Sequence, residues 1–313
     1  ALNAGLGNLG VSVMQFLVPV VISTGTFAFA VGDGQPASDG SMLWLQNAGF
    51  VWVPFLIVAT VAAWFGMNDI ASARASFAEQ SVIFGRFHNW IMCILYTGTF
   101  GSFIGYSAGF PLLMKTQFPE VNALSYAFLG PLVGALSRAG TGWISDRFGG
   151  GRVTFWTFLG MILSVWGVLQ FLPDGGQGGN FQGFFACFMA LFLLTGVGNA
   201  STFQMIPSIM RLEVPRLMPE LAKNESLRQS ERESAAIIAF TSAIAAYGAF
   251  FIPKAYGTSI TMTGGPEMAL WGFMAFYVIC AALTFIFYTR PKGLLHHVER
   301  AYSAPGTYAA SAK

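Results

Sequence analysis

The sequence predicts an all-α protein, a polytopic bundle of membrane-spanning helices. The 313-residue chain is 54% apolar and only 10% charged, and its mean hydropathy is +0.59. A soluble domain carries about 25% charged residues, so this chain has too few polar side chains to cover a water-soluble globule. The composition therefore excludes a cytosolic enzyme and a disordered chain. The net charge of +2 gives no basic field for nucleic acid.

Eight apolar runs are long enough to cross a bilayer, which takes about 20 residues. The 14 acidic residues all fall outside these runs or at their rims. Pro119 marks the turn between the third and the fourth run. The predicted spans are residues 1–31, 47–66, 89–114, 122–145, 153–172, 182–210, 235–256 and 268–289.

The charges in the loops predict the orientation of the bundle. Lys and Arg number 13 in residues 67–88, 146–152 and 211–234 and in the C-terminal tail, whereas the alternate loops carry only Lys115. Positively charged loops stay in the cytoplasm. We therefore expect a multi-pass protein with both ends of this chain on the cytoplasmic side.

Three polar stretches interrupt or end the apolar pattern. Residues 67–88 are predicted to link two bundles, residues 211–234 to form a charged loop, and residues 291–313 to form a disordered tail. The chain starts at Ala1 inside an apolar run, without a signal-peptide pattern. This start predicts a fragment or a chain truncated at its N-terminus.

Arg138 is the strongest candidate site residue, because it is the one basic residue deep inside a predicted span. An arginine at that depth costs about 2.5–3.5 kcal/mol and is a functional residue by default. Its planar fork of donors suits a planar oxyanion. The alternative is that Arg138 reaches the cytoplasmic rim or binds helix carbonyls.

Polar residues on three other spans are expected at the same depth. At 1.5 Å per residue, Arg138 lies about 12 Å and Tyr96 about 10 Å from the cytoplasmic face. Asn8 and Ser242 fall in the same layer, where a transporter holds its substrate. Phe100 shares a helix face with Tyr96. Packing is the better explanation for Phe100 taken alone, and helix–helix bonding explains Asn8 equally well. Ser242 is the weakest of the four, because serines in membrane helices usually bond their own backbone.

Several chemistries lack any sequence support. The spans hold no carboxylate or histidine for a proton relay, and no P-loop occurs. No nucleophile–base pair or metal-ligand cluster occurs at membrane depth. We therefore expect no cofactor, no metal and no catalytic residue.

Two motifs carry a family resemblance. Residues 142–152 resemble the GxxxDRxGxR loop of the major facilitator superfamily, with one extra glycine before the final arginine. Residues 4–11 resemble the first nitrate signature of the nitrate/nitrite porter family, which lies in the fifth helix. Residues 96–109, 135–142 and 198–206 resemble the same family, so the likeness extends over nearly the whole chain.

The resemblance implies a twelve-helix fold of the major facilitator type, of which eight spans are present. Residues 1–66 would be the last two helices of the N-terminal bundle, residues 67–88 the cytoplasmic linker, and residues 89–290 the six-helix C-terminal bundle. The first four helices, with a second substrate arginine, would be lacking.

The resemblance also implies roles for single residues. Arg138 would be the substrate arginine, Tyr96 and Phe100 would line the site, and Asn8 would be the signature asparagine. Ser242 would lie near the anion in the second signature, residues 239–251. That signature is glycine-poor here, because only Gly248 remains where glycines are usual.

The expected function is exchange of nitrate and nitrite by alternating access in a bacterial inner membrane. The expected partners are these two anions and the lipid bilayer, with no nucleic acid, and the protein is expected to be a monomer and not an enzyme. Two alternatives are an inert truncated remnant of such a porter and a facilitator for another small anion.

Overall fold

The structure is a computed structural model that describes residues 2–37, 40–68, 76–173, 178–291 and 293–295. It confirms the predicted all-α class, because most of these residues are helical and only two short strands occur among them. The helices are α1 (Leu2–Ile22), α2 (Ala28–Val31), α3 (Asn47–Phe50), α4 (Val53–Gly66), α5 (Phe77–Ser81), α6 (Phe87–Tyr96), α7 (Ser102–Gln117), α8 (Ala123–Tyr126), α9 (Leu129–Gly140), α10 (Gly142–Phe148), α11 (Gly150–Phe171), α12 (Phe181–Leu217), α13 (Lys223–Ala246), α14 (Gly248–Thr263) and α15 (Glu267–Thr284).

Five short elements lie between or after these helices. A 3-10 turn, Val82–Gly85, precedes α6. One π-helical turn, Thr97–Gly101, joins α6 to α7, and another, Phe285–Thr289, follows α15. Two antiparallel two-residue strands, β1 (Gln35–Pro36) and β2 (Met42–Leu43), lie between α2 and α3.

Seven helical segments of the described chain are long and apolar enough to cross a membrane, not the eight predicted. The predicted span 122–145 is divided into α8, α9 and α10, each too short to cross alone. Pro131 explains the first break. It has no N–H to donate to the carbonyl of Ala127, so the helical bonding lapses there.

The prediction that residues 211–234 form a loop is wrong, because most of them are helical. Helix α12 continues to Leu217 and α13 begins at Lys223, so residues 218–222 alone connect them. Charged residues are excluded from the bilayer core, but they are good helix formers. The hydropathy pattern therefore marked where the membrane ends and not where the helices end.

The proposed linker and tail are only partly covered, because residues 69–75, 292 and 296–313 lie outside the described chain. In the linker, Ser76 and Glu79 form a capping box that starts α5. Beyond the boundary predicted at residue 290, Leu295 is 2% exposed and belongs to the hydrophobic core. The ordered chain thus runs past that boundary.

Helix α12 is the centre of the bundle formed by α6 to α15. It packs against α9, α11 and α13. An aromatic cluster joins it to α7, with the rings of Phe110 and Phe188 4.8 Å apart. Such ring pairs contribute about 0.5–1.5 kcal/mol each beyond the area they bury. The cluster consists of Tyr106, Phe110, Phe184, Phe188 and Phe192.

Helix α1 packs across α9 with its polar side. The Ser12 hydroxyl donates to the Phe128 carbonyl at 2.8 Å, and the Gln15 amide donates to the Ser107 carbonyl at 2.6 Å. Helix α4 has no buried residue. Its apolar surface is therefore left for lipid or for other helices.

Two glycines allow a backbone contact between the π turn and the break between α13 and α14. A Cβ on Gly248 would collide with the carbonyl group and Cα of Gly101, and a Cβ on Gly101 would lie 2.9 Å from the carbonyl oxygen of Ala245. Side chains at either glycine would force the two backbones apart. Gly248 is the one glycine that remains in the predicted second signature, and it stands at this contact.

A buried ion pair joins the end of the linker to α13. Arg86 makes two hydrogen bonds of 2.7 Å to the carboxylate of Glu233, and the two side chains are 12% and 2% exposed. The bond to Glu233 raises the pKa of Arg86. Gln229 donates a further hydrogen bond to Glu233 at 3.0 Å. The pair fixes the start of α6 against α13.

Glu233→Ala is expected to lower the free energy of unfolding by about 3 kcal/mol, because it leaves the Arg86 charge buried without a partner. The double variant R86M/E233M removes both charges and should lose less. Thermal unfolding in detergent measures both effects. Glu231→Ala, at an exposed position of the same helix, is the control and should change stability little. Equal effects of the two Glu variants would contradict the prediction.

Candidate anion-binding site

Arg138 lies inside the bundle, near the end of α9. It is 3% exposed, and one Nη donates to the hydroxyl of Tyr96 at 3.3 Å. Among the residues that the structure describes, no carboxylate lies within ion-pair distance of Arg138, and its Nε is buried without a hydrogen-bond partner. A guanidinium has five N–H donors. Most of them are therefore free to bind an anion.

Two aromatic rings face the guanidinium. Its central carbon lies 5.6 Å from the ring centre of Phe100 and 5.7 Å from that of Phe203. Phe100 also stacks on Tyr96, with centroids 5.2 Å apart and an angle of 25°. Cation–π attraction of up to about 2 kcal/mol per desolvated contact offsets part of the burial cost. It does so without consuming hydrogen-bond donors.

Phe203 is a site residue that the sequence reasoning missed. It lies in the run 198–206, which supported the family resemblance, but its role was not considered. Phe203 follows Gly196 by seven residues, but the sequence alone does not show that Gly196 lies beside Arg138. Two turns of helix place both residues on one face of α12.

The π turn Thr97–Gly101 positions the two aromatic residues of the seventh helix of the implied fold. It begins directly after Tyr96 and contains Phe100. Such turns insert an extra residue into an α-helix and are frequent at functional sites. Residues 97–101 are apolar or small like their neighbours, so hydropathy alone does not reveal the turn.

Close packing of α12 on α9 fixes the position of Arg138 along the helix bundle. A Cβ on Gly196 would collide with the carbonyl oxygen of Gly134 and the hydroxyl of Ser137, and would lie 3.0 Å from the backbone nitrogen of Arg138. The Ser137 hydroxyl donates to the carbonyl of Leu193 at 3.0 Å. The two backbones are thus in contact directly beside the candidate site.

The remaining two predicted residues differ in their relation to Arg138. Ser242, on α13, lies beside the Tyr96 hydroxyl and interacts with it. Asn8 lies on α1, which packs against α9. The Nδ2 of Asn8 is buried without a hydrogen-bond partner among the described residues. Asn8 is one turn from Gly5, where an added Cβ would lie 2.7 Å from the backbone nitrogen of Ala139. The structure therefore groups Arg138, Tyr96, Phe100 and Ser242, with Asn8 on the adjoining helix.

This arrangement is suited to binding an anion. It combines one fixed positive charge, unused N–H donors and flat aromatic walls. Across the described ranges, no group of three His, Cys, Asp or Glu side chains is placed to hold a metal ion. A planar anion with two acceptor oxygens matches the fork of the guanidinium.

Comparison with known proteins identifies close relatives. The chain is 50% identical over 294 residues to the nitrate/nitrite transporter NarU of Escherichia coli and to NarU of Salmonella typhimurium, covering 93% of this chain and 63% of each relative. It is 37% identical over 297 residues to the probable nitrate/nitrite antiporter NarK2 of Thermus thermophilus, covering 92% of this chain and 62% of that protein. The chain thus spans less than two thirds of their length. No family model matches it.

Gly196→Ala is expected to destabilise the protein by about 1–3 kcal/mol, the cost of forcing a methyl group into a packed interface. The methyl would push α12 away from Ser137 and Gly134. Thermal unfolding in detergent measures the loss. Gly272→Ala is the control, because a Cβ there meets nothing within 4 Å and alanine favours a helix. Equal unfolding temperatures for the two variants would contradict the close contact.

Proposed function

Because the chain belongs to the nitrate/nitrite porter family of the major facilitator superfamily, we propose that it is part of a transporter that exchanges nitrate and nitrite. The observation that carries the proposal is the buried, carboxylate-free Arg138 with its unused donors. Both anions are planar and offer two oxygens to a guanidinium fork. The relatives are transporters and not enzymes, and we propose the same for this chain.

We propose that Arg138 supplies the charge that attracts the anion. Tyr96 donates a hydrogen bond to it, and Phe100 and Phe203 enclose it from two sides. Ser242 orients the Tyr96 hydroxyl. Asn8 would contribute from α1 when α1 moves relative to α9, since its Nδ2 has no partner in the present arrangement.

Alternating access follows from the charge of Arg138. A bound anion neutralises the guanidinium, which lowers the cost of closing the site away from water. An empty site keeps the charge unpaired and resists closure. The return step then also needs an anion, so the protein exchanges anions and does not release them one way. No titratable relay among the described site residues is required.

The proposed division of the chain places residues 1–66 in an N-terminal bundle and residues 89–290 in a C-terminal bundle, with 67–88 as the cytoplasmic linker. The contact of α1 with α9 is then the moving interface between the bundles. We further propose an inner-membrane location, a cytoplasmic C-terminus and a monomeric state in the lipid bilayer.

A facilitator for another small anion is the second candidate function. The same guanidinium fork would bind any planar carboxylate or oxyanion of similar size. The rings of Phe100 and Phe203, whose centres lie 5.6 Å and 5.7 Å from the central carbon of the Arg138 guanidinium, favour a small, flat anion over a bulky one.

Arg138→Lys is expected to abolish exchange, because an ammonium cannot present a planar pair of donors. The measurement is uptake of labelled nitrate into nitrite-loaded proteoliposomes that contain the full-length protein. Arg232→Lys, at an exposed position of α13, is the matched control and should retain exchange. Wild-type rates in Arg138→Lys would refute the assigned role.

Competition separates the two candidate functions. External nitrite should inhibit nitrate uptake into the same vesicles, since both anions occupy the Arg138 fork. A dicarboxylate at the same concentration should not inhibit, because Arg138 can pair with only one of its two carboxylates and the other would be buried without a partner. Inhibition by the dicarboxylate alone would favour a transporter for another anion.

A further inference from the structure

Asn199 is a fully buried polar residue that has no hydrogen-bond partner. It lies in α12, is 0% exposed, and both its Nδ2 and its Oδ1 are unpartnered among the described residues. Leaving such a group unpaired costs about 1–3 kcal/mol. Native proteins contain few of these groups, and each calls for an explanation.

The neighbouring polar residues of α12 do not have this problem. Thr195 donates to the carbonyl of Phe192 at 2.7 Å. The hydroxyl of Ser201 is 2.7 Å from that of Thr154, and the hydroxyl of Thr202 is 3.0 Å from that of Thr99. These three hydroxyl groups are thus each satisfied within the protein. Asn199 is the exception among these four residues.

The contacts of α12 fix the direction of Asn199. Gly196 and Phe203 both face Arg138, and Thr202 faces Thr99, which lies in the π turn. At 3.6 residues per turn, Asn199 points about 60° from Gly196 and about 40° from Phe203, on the side of Thr202. Its amide therefore faces the gap between α9 and the π turn. Tyr96, Phe100 and Arg138 meet in this gap.

The height of Asn199 along α12 agrees with this direction. It lies about 4.5 Å along the axis from Gly196 and about 6 Å from Phe203. Gly196 lies against the Arg138 backbone and Phe203 against its guanidinium. Asn199 is therefore level with the Arg138 side chain, whose Nε is also buried and unpartnered.

We infer that Asn199 is a further anion-contacting residue and that it sets the preference for nitrate over nitrite. The inference rests on the proposed function and deepens it. Nitrate has three oxygens, of which the Arg138 fork holds two. The Asn199 amide donates to the third from a different helix. Nitrite has two oxygens and offers nothing to that donor, so it gains less from Asn199.

The test is Asn199→Leu in the full-length protein, reconstituted for exchange. Leucine has a similar volume but no donor. The KM for nitrate should rise about tenfold, the size expected for one hydrogen bond to a charged group, and the KM for nitrite should change by less than about threefold. Without anion, the unfolding temperature should be equal or higher, because an unpaired buried amide has been removed. If Asn199 had only a structural role, Asn199→Leu would instead have a lower unfolding temperature than the wild type.

Two further variants keep the test decisive. Ser201→Ala removes a buried hydroxyl from the opposite side of α12 and should leave the ratio of the two KM values unchanged. If Asn199→Leu does not fold, Asn199→Ala is expected to shift the same ratio. Wild-type exchange with an unchanged ratio in the folded Asn199 variant would overturn this inference alone. If the wild-type protein neither exchanges the two anions nor is thermally stabilised by either of them, the proposed function and the inference are both overturned.

Discussion

The central constraint on this structure is one positive charge held in a medium of low dielectric constant without a carboxylate to balance it. Arg138 is 3% exposed, yet its one hydrogen-bond partner in the described chain is the neutral hydroxyl of Tyr96. The faces of Phe100 and Phe203 stabilise the charge without occupying its donors. A carboxylate at this place would occupy the donors of Arg138 and compete with any anion that approaches them.

Close backbone packing holds this charge at its depth. Gly196 brings α12 into contact with α9 beside Arg138, and Gly5 brings α1 into contact with the same helix one residue further along. Small residues at such contacts are the usual way for membrane helices to associate, since lipid provides no hydrophobic drive between them. The helices that surround the charge are thus held by shape and by hydrogen bonds.

Counting along the spans predicted the relation of Tyr96 to Arg138, because the rise of a helix is fixed and the loop charges define one face of the membrane. The same counting missed Phe203, since a phenylalanine in an apolar span has no distinguishing feature. It also missed the π turn and the break before Pro131, which depend on local bonding and not on hydropathy. The helical start of α13 was not predicted, because its charged residues were interpreted as part of a loop. The lack of a hydrogen-bond partner for Asn199 likewise depends on the positions of its neighbours, which the sequence does not give.

The contact between Gly101 and Gly248 has a mechanical consequence. Gly101 belongs to a π turn, and Gly248 opens α14 after an interruption at Tyr247, so each helix is locally under-bonded where it touches the other. Bending a helix is least costly where hydrogen bonds are already missing. Phe100 precedes Gly101 directly in the chain, so a flexion at this joint is transmitted to the ring that covers Arg138. A locally under-bonded joint and the ring that covers Arg138 are therefore adjacent residues.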